Sequence, residues 1–200
     1  MHPNAAFRMS AREDAIAHVA RVGFAHLFGM TPDGPRVAHV PLLVTKAETL
    51  RFHLANGNAL TAHLDGEPAL ASVGGPGSYI SPNWYAQPAD NVPTWNYQAV
   101  EIEGHVRKLD WEALYELLEL ASATFEPRVG ENWTMDKMAP ARRDAMMRGI
   151  TGFEMTIDSV RSTDKASQNR SEADARGVVG ALERLGDVAG AAAIRRSRGW

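Results

Sequence analysis

Seven histidines and no cysteine frame the side-chain chemistry open to this 200-residue chain. The missing thiols exclude disulfides, thiolate zinc sites and cysteine nucleophiles. His39, His53, His63 and His105 fall in or near stretches that read as strands. No pair has the i, i+4 spacing that puts two imidazoles on one helix face, and no HExxH occurs, so the pattern assigns no metal ligands. A nucleophilic serine is no better supported. There is no GxSxG, and Ser78 and Ser81 sit in a proline-bound loop rather than a strand-to-helix elbow. The phosphate cradles GxxxxGK[ST] and GxGxxG are also absent.

Two stretches do carry usable chemistry. Asp164-Lys165-Ala166-Ser167-Gln168-Asn169-Arg170 places two cations, a hydroxyl and two amides just before a helix. Lys165 and Arg170 offer charge, and Ser167, Gln168 and Asn169 offer directional hydrogen bonds, which suits an anionic ligand. The same residues would also serve as a solvated turn capping that helix. The second stretch, Gly77 to Gly104, holds Tyr79, Trp84, Tyr85, Trp95 and Tyr97 among three prolines. It suits a flat ring ligand, a subunit interface or an aromatic minicore under a long loop.

The elements that must position these residues follow from the spacing of apolar positions. Ser10 and Glu13 read as a capping box for a helix with Ile16, Val19 and Ala20 on one face, stopped by Gly23. Phe24 to Met30, Arg36 to Val44 (interrupted by Pro41) and Thr49 to Leu54 read as a three-stranded antiparallel meander, with Pro32-Asp33-Gly34 as its first turn. Asn58 is placed to cap a short helix over Ala59 to Leu64. Ala69 to Val73 is a short strand closed by Gly74-Gly75-Pro76, and a loop covers Ser78 to Val92. A long strand from Thr94 to Leu109 is expected to bend or bulge near Gly104. Asp110 caps the clearest helix, with Leu114, Leu117, Leu118, Ala121 and Phe125 on one face. After a partly helical segment to Arg148, Ile150 to Val160 reads as a last strand, Arg161 to Arg170 as a polar loop, and the rest as helix.

About six strands with no regular βαβ unit predict a small barrel with helices outside it. The domain reading is residues 1–160 as a barrel with inserted helices, and 161–200 as a polar loop and helical appendage packed on it. The net charge of −3 gives no general attraction to nucleic acid or anionic membrane. No apolar run has membrane-spanning length and the N-terminus lacks a signal-peptide core, so a cytoplasmic protein is expected. The last segment, Val188 to Ile194, lacks the Asn, Gln or Arg that reads base edges. The C-terminal third therefore reads as a helical hairpin with Arg195, Arg196 and Arg198 in a solvated tail.

Several segments together resemble the PaiB-type FMN-binding negative transcriptional regulators. They are His39-Val40-Pro41-Leu42, Tyr79-Ile80-Ser81-Pro82-Asn83-Trp84-Tyr85, Val92-Pro93-Thr94-Trp95-Asn96-Tyr97 and Lys165 to Arg170. Trp133 to Met138 and Gly152-Phe153-Glu154 match in order, so the resemblance covers nearly the whole chain. It implies an FMN-binding split β-barrel of the pyridoxamine-phosphate-oxidase type, a homodimer with flavin between subunits. The implied function is transcriptional regulation, with a flavin-dependent oxidoreductase that does not touch DNA as the alternative. The resemblance sets His39, Val40, Pro41, His53, Asn56, Asn58, Trp95, Asn96, Lys165, Ser167, Gln168 and Asn169 toward the cofactor. The ring end goes to Val40, Pro41 and Trp95, and the phosphate end to Asn56, Asn58, Lys165, Ser167 and Gln168. Tyr79, Trp84, Tyr85 and Tyr97 form the aromatic dimer loop. Asn56 stands where the family often has Arg or Lys, Ala59 where it often has Pro, and Ala166 replaces a common Leu. The lost cation at Asn56 should weaken FMN binding.

Overall fold

The structure is a computed structural model that describes residues 1–130 and 132–200. Among the described residues five α-helices and eight strands follow in this order: α1 (Arg12–Val22), β1 (Phe24–Thr31), β2 (Gly34–Pro41), β3 (Leu43–Val44), β4 (Leu50–Ala55), β5 (Pro68–Ile80), β6 (Thr94–Lys108), α2 (Trp111–Phe125), α3 (Pro140–Met147), β7 (Ile150–Met155), β8 (Ser159–Lys165), α4 (Glu172–Arg184) and α5 (Val188–Arg198). The strands join in the order β2-β1-β5-β6-β7-β4-β3, with β8 on β6. The chain divides into two compact units. The first holds Met1–Ala15, Gly74–Val100 and Arg161–Trp200, and the second Ile16–Val73 and Glu101–Val160.

The second unit is built on two hairpins. β1 and β2 pair antiparallel around the two-residue loop Pro32-Asp33, where Gly34 takes a φ of +100° and the Thr31 hydroxyl donates to its carbonyl at 2.8 Å. Pro41 ends β2, and β3 instead pairs with β4, which pairs with β7. The expected three-stranded meander is therefore two separate hairpins. The proline removes a ladder donor, and the Leu42 N–H goes to Gly23 O. Inward residues alternate along β4, where Leu50, Phe52 and Leu54 are buried, and Phe52 stacks on its cross-strand partner Phe153 at 5.6 Å. Helix α2 starts where Asp110 accepts the Ala113 N–H at 2.8 Å, and Leu114 and Leu117 form a cluster with Leu43, Leu109, Met135 and Met147.

Several expectations shift. Ala59 to Leu64 forms turns rather than a helix, although Leu60 and Leu64 are buried as their spacing required. The Asn58 side chain accepts the Leu60 N–H at 3.0 Å and so organises a turn. At Gly104 β6 packs against the chain leaving β7 so closely that a Cβ there would lie 1.8 Å from Thr156 O. β6 buries the even-numbered residues Asn96, Val100, Ile102, Gly104 and Val106, so the aromatic residues at odd positions face outward. The strand expected over Ile150 to Val160 breaks at Thr156 to Asp158. There the Thr156 and Asp158 N–H groups donate to His105 O and Glu103 O, and the Thr156 hydroxyl turns to Asp158. Near the N-terminus the cap lies one residue on, with Asp14 accepting from the Ala11 N–H at 3.2 Å.

In the first unit β5 continues as extended chain through Gly74-Gly75-Pro76 to Ile80, where the sequence suggested a stop. Extended backbone has no need of φ > 0, so neither glycine forces a turn. The first half of the expected polar loop, Arg161 to Lys165, belongs to strand β8. Ser171 caps α4 and Asp187 caps α5. The two helices enclose a core of Ile80, Tyr85, Ala166, Val178, Leu182 and Ile194, with Trp84 against it. Gly177 of α4 admits the Trp84 carbonyl so closely that a Cβ would lie 2.1 Å from that oxygen.

Candidate functional site

The donors picked out between Asp164 and Arg170 meet the start of β6 inside the first unit. Three side-chain bonds tie the segments: Lys165 Nζ donates to Thr94 Oγ1 at 2.5 Å, Asn96 Nδ2 to Ser167 Oγ at 2.9 Å, and Gln98 Nε2 to Asp164 Oδ1 at 2.9 Å. The Asn96–Ser167 bond is buried. Ser167 has a φ of +61°, the left-handed region that a side chain disfavours. Its neighbours hold it there. Besides the Asn96 bond, Arg198 from α5 donates to the carbonyls of Ser167 at 2.8 Å and Arg170 at 2.5 Å. Strain of this kind persists where surrounding contacts over-determine it, and it clusters at binding sites.

Lys165, Arg170 and Arg198 make no ion pair with a carboxylate among the described residues, although Asp174 feels the charge of Arg170 and Asp164 lies in the same segment. Arg170 donates to Asn91 Oδ1 at 2.6 Å and lies over the Tyr85 ring at 4.5 Å. Lys165 sits 5.6 Å from the Phe7 ring centre. Desolvation, and then repulsion from Arg170, hold the Lys165 pKa below its ordinary value. An anion at the turn would relieve that repulsion. Gln98 Oε1 and Arg198 Nε are buried there without a hydrogen-bond partner. The donor set fits a phosphate better than it fits a helix cap, because the α4 cap is supplied separately by Ser171. The two amides at the turn differ: Gln168 is spent on the Ala166 N–H and the Asp164 carbonyl, whereas Asn169 is exposed.

The aromatic stretch separates into two populations. Tyr85 is buried and Trp84 packs on the core of the first unit, so these two form the minicore. Trp95 is 57% exposed and lies edge-on to the exposed Tyr79, with centroids 6.0 Å apart, while Tyr97 is half-buried.

The remaining candidates lie in the second unit. His39 and Pro41 are exposed on β2, and Val40 is buried, leaving only its backbone to a ligand. His39 Nδ1 lies 2.7 Å from His26 Nδ1. Asn56 uses both ends of its amide: Nδ2 donates to Arg148 O at 2.7 Å, and Oδ1 accepts from the Thr151 hydroxyl at 2.8 Å. Asn58 is engaged with Leu60. His53 lines a cavity of about 330 Å³ with Trp133, Met135, Met146, Arg143 and Leu118. Burial lowers its pKa, so it presents a neutral ring rather than a charge. Sequence reasoning missed His26, Arg198 and this cavity. The hairpin register could have found His26, since it and His39 are equally spaced from the Pro32-Asp33 loop. Arg198 carried no local signal.

Comparison with known proteins decides the family. Residues 1–159 match the family described as "Putative FMN-binding domain". The chain belongs to this family. It is also 30% identical over 181 residues to the protease synthase and sporulation protein PAI 2 (PaiB) of Bacillus subtilis strain 168, covering 88% of this chain and 86% of that one. It is thus an FMN-binding-domain protein of the PaiB type. Among solved structures, the flavocytochrome Anf3 of Azotobacter vinelandii superposes with a TM-score of 0.67 at 14% identity, over 87% of this chain and 77% of that one. The FAD and heme binding protein of Mycobacterium smegmatis gives 0.63 at 14% identity, over 84% and 78%. At such identities the likeness concerns the fold, a flavin-binding split barrel of mostly antiparallel strands with external helices. No helix among the described residues is long and apolar enough to cross a membrane.

Proposed function

We propose that the chain binds FMN with its phosphate at the Lys165–Arg170 turn and its ring against Trp95 and Tyr79. The observation that carries this reading is the fixed left-handed Ser167 beside Lys165, Arg170 and Arg198, which among the described residues make no ion pair with a carboxylate. Lys165, Ser167 and Asn169 would supply donors, with Asn96 holding Ser167 in place. Thr94, bonded to Lys165, leads directly into the exposed Trp95. Asn56 and Asn58 contribute less than the family resemblance implies, because their amides already serve their own turn. When bound, the flavin supplies redox chemistry, and the protein supplies orientation and access. The direct test is titration of the purified chain with FMN and with riboflavin, following flavin fluorescence. FMN binding at least tenfold tighter than riboflavin supports the phosphate site, and equal affinities refute it.

We further propose that the protein is a homodimer. Phe24, Phe28, Met30 and Val37 are exposed on one face of the β1–β2 hairpin, and Tyr79 and Trp95 are exposed in the first unit. Exposed apolar faces of this size suit a subunit contact. A monomer by light scattering at micromolar concentration would rule it out.

The family role we propose is that of a flavin-linked negative regulator. One observation favours the second reading, a flavin-dependent oxidoreductase without DNA contact. The basic end of α5 is largely consumed internally: Arg195 pairs with Glu183 at 2.5 Å and Arg198 is spent on two carbonyls. For Arg198 this corrects the expectation of a solvated tail, whereas Arg196 is exposed as expected. Regulation through a protein partner is compatible with that arrangement. Sequence-specific, salt-dependent retardation of DNA would support a direct regulator. NAD(P)H oxidation by the FMN-loaded chain without DNA affinity would support the enzyme.

A further inference from the structure

The segment Trp133-Thr134-Met135-Asp136-Lys137-Met138 takes no part in the flavin reading. It joins α2 to α3 in the second unit, and it lines two cavities. The first is a groove of about 690 Å³ along the C-terminal half of α2, where Glu119, Glu126 and Asp136 stand beside Ala123, Pro127 and Trp133. The second is the cavity of about 330 Å³ walled by Leu118, Met135, Met138 and Met146. Ser122, Trp133 and Met135 line both, so the two adjoin. No residue that lines either belongs to the β1–β2 face proposed as the subunit contact, or to the first unit.

We propose that these adjoining cavities form a site for an amphipathic organic cation, an ammonium head on an aryl or alkyl body. The head lies among Glu119, Glu126 and Asp136, and the body lies against Trp133 and the methionines. Charge selects the head. No Lys or Arg lines the groove among the described residues. Lys137 follows Asp136 in sequence, but its Nζ donates to the Asn132 carbonyl. A hydrogen bond from the Thr134 hydroxyl does most to hold the Asp136 pKa below its ordinary value, so that carboxyl stays ionised. Glu126 accepts the Trp133 N–H at 3.2 Å and so fixes the ring's backbone beside a carboxylate. Glu119 is exposed and makes no hydrogen bond or ion pair among the described residues. The three carboxylates do not converge closely enough to hold a metal ion, which leaves a larger cation with spread charge. Trp133, 39% exposed, offers the indole face that such a cation prefers. Apolar walls with a few polar groups, enclosing some hundreds of Å³, are the usual make-up of a small-molecule site. Methionines adapt to an irregular body. In the inner cavity Arg143 is already answered by Asp144 at 3.0 Å and lies over the Tyr115 ring, and the ring of His53 is kept neutral by burial.

The test is isothermal titration of the full chain with three probes that share one body: 4-phenylbutylamine, 4-phenylbutanol and 4-phenylbutanoate. The amine should bind one per chain, about tenfold or more tighter than the alcohol, and the acid should not bind. Glu119→Gln should weaken the amine about threefold, the scale of one solvent-exposed charge contact, and leave the alcohol unchanged. Glu112→Gln removes the same charge from the same helix outside the groove and should change neither. Trp133→Ala should weaken amine and alcohol together. His53 is set toward the flavin by the family resemblance, so the amine titration is repeated in saturating FMN, where its affinity should hold. Amine and alcohol of equal affinity, equal losses from Glu119→Gln and Glu112→Gln, or displacement of the amine by FMN would overturn the proposal. The first two outcomes involve no flavin and leave the flavin reading untouched.

Discussion

Replacing Lys165 with methionine removes one positive charge from the proposed phosphate site while keeping most of the side-chain stem. Among the described residues Lys165 donates a hydrogen bond to Thr94 and makes no ion pair with a carboxylate. Its pKa is lowered by desolvation and then by Arg170, so the folded protein holds the protonated form at a cost. With the folded pKa below the unfolded one, the unfolded state binds more protons between the two values, and stability rises with pH across that window. Removing the ammonium therefore costs the ligand-free protein little, and its melting temperature should hardly move. For FMN the outcome is opposite. A hydrogen bond to a charged group contributes about 1.5–3 kcal/mol, which corresponds to about a 10- to 150-fold loss of affinity. Riboflavin lacks the phosphate, so its affinity should stay within about threefold, the scale of a change well under 1 kcal/mol. Fluorescence titrations of both ligands against both proteins make the comparison, and 0.5 M salt should narrow the FMN difference if the turn remains partly wet. If FMN and riboflavin lose affinity equally, or if neither does, the phosphate does not lie at this turn.

Gly104→Ala would drive a Cβ to 1.8 Å from the Thr156 carbonyl oxygen. Overpacking of about 1–3 kcal/mol should lower the melting temperature by several degrees, and an unchanged melt would mean the strands do not approach so closely. Burial alone would raise the Glu154 pKa, but hydrogen bonds from Arg51 and Arg107 outweigh it and the net shift is downward. The carboxylate thus contributes stability above its unfolded pKa that is lost as pH falls through the folded value. Glu154→Gln should flatten acid unfolding below about pH 4 while destabilising the protein near neutrality, both read by circular dichroism. Asn56→Arg restores the cation common in the family but breaks the bonds to Arg148 and Thr151. It should lower the melting temperature by a few degrees. FMN tightened more than about threefold would move the phosphate toward β4.

What the sequence disclosed was decided by the range of the signals. The helix cap at Asp110 is a local signal, and α2 lies close to where periodicity put it; Ser171 and Asp187, which cap α4 and α5, are equally local but were not read as caps. Pairing is not local. Pro41 was visible as an interruption, but only the register shows that β3 leaves β2 and joins β4. Similarly, Gly74-Gly75-Pro76 has the composition of a turn, yet the chain passes through it extended. At the candidate site, Lys165 and Ser167 stood out by the donor chemistry of their own segment, whereas Asn96 came only through motif resemblance. The minicore role of Tyr85 emerges only when α4 and α5 are in place around it. The His26–His39 pair needed no tertiary information beyond the hairpin, but spacing rules built for helices pass over it.

The match to the family ends at residue 159, before the donor-bearing turn begins. Within the first unit that turn is shaped by the two C-terminal helices. Arg198, on the last turn of α5, donates to the carbonyls of Ser167 and Arg170 and so bridges the ends of the segment. Helix α5 is anchored in turn by Asp187, which caps it through Gly190 and accepts the Ser78 hydroxyl at 2.6 Å. Helix α4 is held against the aromatic stretch by Gly177 at Trp84 and by Asp174, which accepts the Ala86 N–H at 2.9 Å. Both helices are therefore part of the device that keeps Ser167 left-handed, even though neither contributes an obvious ligand. A left-handed serine costs of order 1–3 kcal/mol, and without Arg198 the turn would relax toward an ordinary conformation. The geometry of the proposed phosphate site is thus set from beyond the matched segment, by a residue whose side chain faces backbone carbonyls.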